Sequence, residues 1–218
     1  MGVSPDGTKV FVTGAGPGGY NTVALDASTG TVLWVARYSG PVGGPDFPTA
    51  LAVSPVGTRV FVTGVSRGFL SICGVNQAGQ VGMGPLDTHP CFDFATVAYE
   101  ASGGEMLWVT RSKARTGGGD DGATALSVSP DGSKVFVTGT SSPPPEDVSD
   151  YATYAYAAST GATLWMRVYA DPADSPAFPA AIQASPDGTK VFVTGTSGDS
   201  FGTIAYDARR RGWGVEWK

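Results

Sequence analysis

The chain is poor in the residues that most enzymes use for chemistry. It has one histidine, two cysteines and only 15% charged residues among 218. A single histidine excludes a histidine-rich metal centre. No CxxC pair, GxSxG elbow, Walker loop or HExxH helix is present, so the common zinc, nucleophile and phosphate signatures are missing. No apolar run is long enough to span a bilayer. Basic residues are also few: Lys and Arg total 14 against 19 Asp and Glu, a net charge of −5. Nucleic acid is therefore excluded as an expected partner, because phosphate binding needs a basic surface. Met1-Gly2-Val3-Ser4-Pro5 leads straight into patterned sequence, without the charged and apolar regions of a signal peptide.

Glycine (32) and proline (16) are plentiful, but they recur at fixed places. VSPDGTKVFVTG at Val3–Gly14 returns as VSPVGTRVFVTG at Val53–Gly64 and VSPDGSKVFVTG at Val128–Gly139. ASPDGTKVFVTG at Ala184–Gly195 is the fourth copy. The starts lie 50, 75 and 56 residues apart. A second landmark follows each: TVALDASTGTVLW at Thr22–Trp34, TVAYEASGGEMLW at Thr96–Trp108 and TYAYAASTGATLW at Thr153–Trp165. A degraded fourth copy runs from Thr203 to Trp217, with Arg209-Arg210-Arg211 in place of its turn.

Each repeat reads as four short strands. Strand a is the apolar run before Ser-Pro (Thr49–Val53, Thr124–Val128, Ala180–Ala184), strand b is KVFVTG, strand c the TVAL run, and strand d carries the tryptophan. Val, Phe, Thr and Tyr suit a pleated, packed surface. Ser-Pro-Asp-Gly fits a type I turn, with Pro presetting φ and Gly closing it. Both recurrent turns are hairpins, so neighbouring strands run antiparallel. Four-stranded units at this spacing are the β-propeller pattern. The expectation is one all-β domain over 1–218, with blades at about 1–38, 49–111, 124–169 and 180–218. Blade 1 has only three residues ahead of its turn and so no proper strand a, which leaves strand b as an open edge. Three arrangements follow: part of a seven- or eight-bladed propeller, two copies forming a ring of eight, or four blades closing alone. The first two are favoured over self-closure.

The VSPDGTKVFVTG segments resemble the repeat of YVTN-type β-propellers. The AxDxxTGxxxW pattern at Ala24–Trp34 resembles the tryptophan-docking motif of quinoprotein (PQQ) alcohol dehydrogenases and their non-enzymatic relatives. The resemblance implies that Trp34, Trp108, Trp165 and Trp217 pack between blades. It also brings in the alternative of a quinoprotein-like oxidoreductase fragment. That family's enzymes carry adjacent cysteines and a Ca²⁺–quinone site with a catalytic Asp. No adjacent cysteines occur here, and no Asp carries over to that role.

The connections opposite the conserved turns vary in length, and binding usually resides in variable loops on a rigid scaffold. They are acidic: Asp46, Asp93, Asp120, Asp121 and Asp150 are the ligand candidates, together with His89. A cationic ligand, a basic partner or Ca²⁺ would suit them; solvated acids that only aid solubility are the competing explanation. His89 has no sequence-visible partner for base catalysis, so a solvent-exposed loop histidine competes with any role for it. Cys73 and Cys91 flank the same long insertion, Val65–Phe92. A disulfide, worth about 3 kcal/mol, is preferred there over two free thiols, with zinc last. A disulfide would fit an extracellular or periplasmic setting if a signal lies upstream; otherwise the expectation is cytoplasmic. Tyr20, Phe94, Tyr151 and Phe201 recur at the start of strand c and point to blade packing. The functional expectation is a non-catalytic scaffold that binds a protein or other ligand through the variable face. It needs no cofactor, with Ca²⁺ as the candidate cation, and a homodimer could complete the ring.

Overall fold

The computed structural model describes residues 1–41, 43–72, 90–114, 120–142, 148–209 and 215–217. They form four antiparallel four-stranded sheets and no helix, so no helix is long and apolar enough to cross a membrane. Blade 1 comprises β1 (Gly2–Val3), β2 (Lys9–Gly16), β3 (Gly19–Asp26) and β4 (Val32–Tyr38). Blade 2 comprises β5 (Phe47–Val53), β6 (Arg59–Ile72), β7 (Pro90–Glu100) and β8 (Met106–Ser112). Blade 3 has β9 (Asp120–Val128), β10 (Lys134–Ser142), β11 (Asp150–Ala157) and β12 (Thr163–Tyr169). Blade 4 has β13 (Ala177–Ala184), β14 (Lys190–Ser197), β15 (Ser200–Asp207) and β16 (Val215–Trp217). Each sheet keeps its strands in sequence order, the meander of a propeller blade. The innermost strands touch in series, β1 to β5, β5 to β9 and β9 to β13, and so line the hub of an arc.

The turns explain the meander. In the a–b turn of blade 1 the Gly7 amide donates to the Ser4 carbonyl, and Gly7 sits at φ 71°, a region only glycine enters freely. Asp6 takes hydrogen bonds from Ser4 Oγ, Thr8 N and Thr8 Oγ1. These bonds, the one from Ser4 foremost, hold its carboxyl down at about 2. Asp131 and Asp187 do the same in blades 3 and 4. Strands b and c are fastened by a threonine hydroxyl pair in every blade: Thr13–Thr22, Thr63–Thr96, Thr138–Thr153 and Thr194–Thr203, at 3.2, 2.9, 3.1 and 3.0 Å.

Three strand boundaries differ from the sequence expectation. First, strand a begins earlier, at Phe47, Asp120 and Ala177, because a bulge lets it continue past the glycine of strand b. A Cβ on Gly64, Gly139 or Gly195 would collide with the strand a carbonyl of Phe47, Gly122 or Phe178, so glycine is required there. Second, blade 1 does form a strand a, but one of two residues: Gly2 and Val3 pair with Phe11 and Val10. Gly14, the fourth member of the glycine set, accordingly has no atom within 4 Å of its Cβ position. Third, the long insertion starts and ends as strand, since β6 reaches Ile72 and β7 starts at Pro90.

The core consists of three clusters, one per junction. Phe11, Tyr20, Ala24 and Trp34 of blade 1 meet Val60, Val62, Val97, Tyr99 and Ala101 of blade 2. Phe61, Phe94, Ala98 and Trp108 of blade 2 meet Val135, Val137, Tyr154, Tyr156 and Ala158 of blade 3. Phe136, Tyr151, Ala155 and Trp165 of blade 3 meet Val191, Val193, Ile204, Tyr206 and Ala208 of blade 4. Alternation along each strand thus gives every blade one face that offers Phe, Trp and an aromatic at the start of strand c, and one that receives them.

Candidate functional site

The indoles fix the junctions. Trp34 Nε1 donates to the Ala101 carbonyl at 3.1 Å, and Trp108 Nε1 to the Ala158 carbonyl at 3.0 Å, each in the following blade. Each indole lies over a turn glycine of that blade. A Cβ on Gly104 would stand 2.7 Å from the Trp34 ring, and one on Gly161 would stand 2.6 Å from the Trp108 ring. Trp165 meets Tyr206 of blade 4 at 6.0 Å between ring centroids. Strand β16 places Trp217 opposite Thr203; its side chain is outside the described set.

The variable rim, where the b–c and d–a connections meet, buries four of the five acids named from sequence. Asp46, Asp93, Asp121 and Asp150 are only 2, 6, 4 and 4% exposed. Asp46 precedes β5 and accepts from the Gly40 amide at 2.6 Å and the Arg67 amide at 2.9 Å, fastening the link from blade 1 to strand b of blade 2. Arg111, at the end of β8, is the hub of this region. Its Nη1 donates to Tyr38 Oη at 3.0 Å and also to Ser66 Oγ. Its Nη2 donates to the Arg67 carbonyl at 2.7 Å and to Asp93 at 2.9 Å. Lys113 approaches the other Asp93 oxygen at 3.3 Å.

Asp121, at the start of β9, is bonded to Ser141 and accepts from the Ala114 amide at 3.2 Å. Burial pushes its carboxyl up to about 6, and the Asp93 charge adds to the rise; the bonds from Ser141 and Ala114 and the charge of Lys113 oppose it. Next to it, exposed Asp120 accepts from the Phe92 amide at 3.0 Å, tying blade 3 to the end of the blade 2 insertion. Asp150 opens β11, opposite Ser141. At the third junction Asp171 takes the hydroxyl of Ser197 and the Ala173 amide.

One device therefore recurs at three junctions: a carboxylate in the d–a link or at the start of strand a (Asp46, Asp121, Asp171) lies beside the serine two residues after the glycine of strand b in the next blade (Ser66, Ser141, Ser197). Of the acids named from sequence, Asp93, Asp120, Asp121 and Asp150 lie in strands and Asp46 immediately precedes one; Asp93, Asp120 and Asp121 meet at the blade 2–blade 3 junction. The serines, Tyr38 and Arg111 were not foreseen. The signal for the serines was present in the repeat, as the second residue after the Thr-Gly of strand b in blades 2–4, where blade 1 has Gly16. His89 and Cys73 lie outside the described residues, as does the side chain of Cys91. Among the described residues, no group of three or more His, Cys, Asp or Glu side chains is arranged to hold a metal ion. Chemically, the rim can bind amide and hydroxyl donors and, at Asp121, exchange a proton near pH 6.

No family model and no curated protein matches the chain. Solved structures do. Hydrazine synthase of Kuenenia stuttgartiensis superposes with a TM-score of 0.63 at 15% identity, over 99% of this chain and 52% of that one. The Swd1 β-propeller domain of Myceliophteria thermophila gives 0.56 at 13% identity, over 98% and 53%. BamB of Moraxella catarrhalis gives 0.51 at 14% identity, over 95% and 49%. The likeness shows the fold: four blades of a β-propeller, spanning about half the length of these chains.

Proposed function

We propose that the chain is a non-catalytic propeller scaffold that binds a protein or other ligand through its variable rim, and that a second copy supplies the remaining blades of the ring. One observation carries the reading. The buried charged side chains of the rim are spent on amides, hydroxyls and one another within and across blade junctions, which holds connections of very different length on a rigid frame. The b–c connection is two residues in blade 1 (17–18) and in blade 4 (198–199), but seventeen in blade 2 (73–89). Uniform framework with non-uniform loops is the architecture of recognition. The repeats are of the YVTN-type and PQQ-like kind on this reading. Fold alone does not decide activity, and the matched structures include enzymes by name, hydrazine synthase among them.

Thermal unfolding with pyrroloquinoline quinone and Ca²⁺, each alone and together, tests the proposal. The scaffold reading expects no quinone-dependent rise in melting temperature. A rise that requires both would instead establish the quinoprotein-like alternative. Ca²⁺ suits carboxylate and carbonyl oxygens, and it is the cation proposed for the rim; a rise with Ca²⁺ alone would support that assignment.

A further inference from the structure

The ends of the arc are the two halves of a junction that the chain already builds three times. Blade 4 presents an offering face whose leading aromatic is mostly exposed. Phe201 stands where Tyr20, Phe94 and Tyr151 stand, yet it is 75% exposed while those three are 0% exposed. Phe192 is only partly buried, whereas Phe11, Phe61 and Phe136 are fully buried. Blade 1 presents the matching receiving face. Val12 is 38% exposed where Val62, Val137 and Val193 are fully buried, and Val10, Val23 and Leu25 are likewise only partly covered. The glycine that would underlie an incoming indole, Gly30, has nothing within 4 Å of its Cβ position, although Gly104 and Gly161 have tryptophan rings there. Gly30 shares their left-handed backbone, at φ 72° against 77° and 73°. The slot has its shape and lacks its occupant.

We infer that the receiving face of blade 1, built of Val10, Val12, Val23, Leu25 and Gly30, takes the offering face of blade 4 from a second copy of this chain. The two arcs then join head to tail at two identical junctions. The inference rests on the half-ring reading and adds which faces meet. A second copy is the occupant because its blade 4 carries the same strand c aromatic and strand b phenylalanine that the three internal junctions use. The chain also spans about half of the propellers it matches. A head-to-tail contact closes only if the rotation returns to its start, so the inference requires the two four-blade arcs to share one hub. Asn21 replaces the Ala or Gly found at that receiving position in blades 2–4, which adds one polar atom to an otherwise apolar face.

Light scattering and sedimentation velocity on the 218-residue chain, with Val12→Glu, Phe201→Glu and their equimolar mixture, test this. Both positions face solvent in a single arc, so each variant should keep the wild-type circular dichroism spectrum. Wild type is expected at twice the 22.2 kDa of one chain. Each substitution buries a carboxylate in both junctions and should weaken the dimer by roughly 100-fold or more. The mixture restores one unmodified junction, Phe201 against Val12, and should recover a heterodimer that neither variant forms alone. A wild-type monomer at about 100 μM, well above the dissociation constant of a stable association, would overturn both the half-ring reading and this inference. A wild-type dimer indifferent to either substitution, or variants whose mixture recovers nothing, would overturn the inference alone.

Discussion

Asp121 should make the protein less stable as pH rises toward neutrality, against the usual trend for a buried, hydrogen-bonded aspartate. In the folded chain its carboxyl titrates at about 6; the ordinary value is 3.8. The folded state therefore holds the proton more tightly than the unfolded state. Its stabilising effect is complete below pH 3.8 and is lost as pH climbs through about 6. A gap of roughly two pH units corresponds to about 3 kcal/mol. Burial is the main cause of this value; of the nearby charges, Asp93 raises it and Lys113 lowers it. Asp121→Asn keeps the size and the acceptor for the Ala114 amide but cannot ionise. In urea unfolding followed by tryptophan fluorescence, Asn should be the more stable form at pH 7.5, by up to about 3 kcal/mol. The advantage should shrink through pH 6 and vanish near pH 4. The turn aspartates do not confuse the measurement: Asp6, Asp131 and Asp187 titrate at about 2, so their contribution is lost only below pH 4. A difference between the two proteins that stays constant from pH 4 to 7.5 would refute the argument, as would a net loss of stability in Asn at pH 7.5.

Trp108→Ala should cost about 3–5 kcal/mol in the same assay, since it removes a buried indole and the bond to the Ala158 carbonyl; a loss under 1 kcal/mol would mean that the blades are held together by other contacts. Gly161→Ala and Gly188→Ala both place alanine at positive φ, but only the first drives a methyl into the Trp108 ring. It should cost about 1–3 kcal/mol more than the second, and equal losses would deny that the indole presses on that turn. Gly139→Ala must displace the Gly122 carbonyl and should cost at least about 2 kcal/mol, while Gly14→Ala should stay within about 0.5 kcal/mol of wild type.

The strand order was legible because the repeat carries it four times. Pro and Gly at fixed positions mark the turns, and alternating Val, Phe and Thr mark the strands between them. What the sequence could not show was distance across the sheet and across junctions. Strand a was read from its apolar run alone, so the bulge that carries it on to Phe47, Asp120 and Ala177 was invisible, although the invariant Thr-Gly of strand b was its trace. The acids were legible by type and side of the molecule. Their burial was not, because an aspartate before an apolar run looks the same whether it faces water or caps an amide. Arg111 was unreadable as a hub, since its partners Tyr38, Ser66 and Asp93 lie 73, 45 and 18 residues away.

The burial of these acids changes what the rim can recognise. A carboxylate that holds two amides, as Asp46 does, has little acceptor capacity left for a ligand, and removing it would disturb the link between blades 1 and 2 before it disturbed any binding. On the scaffold reading proposed above, recognition on this face comes from groups that the frame does not consume. Asp120 is exposed, but it already holds the Phe92 amide. Phe201, 75% exposed in the single arc, is not one of those groups on the same reading, because the inferred junction between two copies buries it. Asp46, Asp121 and Arg111 thus lock the described junctions, so a substitution at any of them reads out as stability before it reads out as binding.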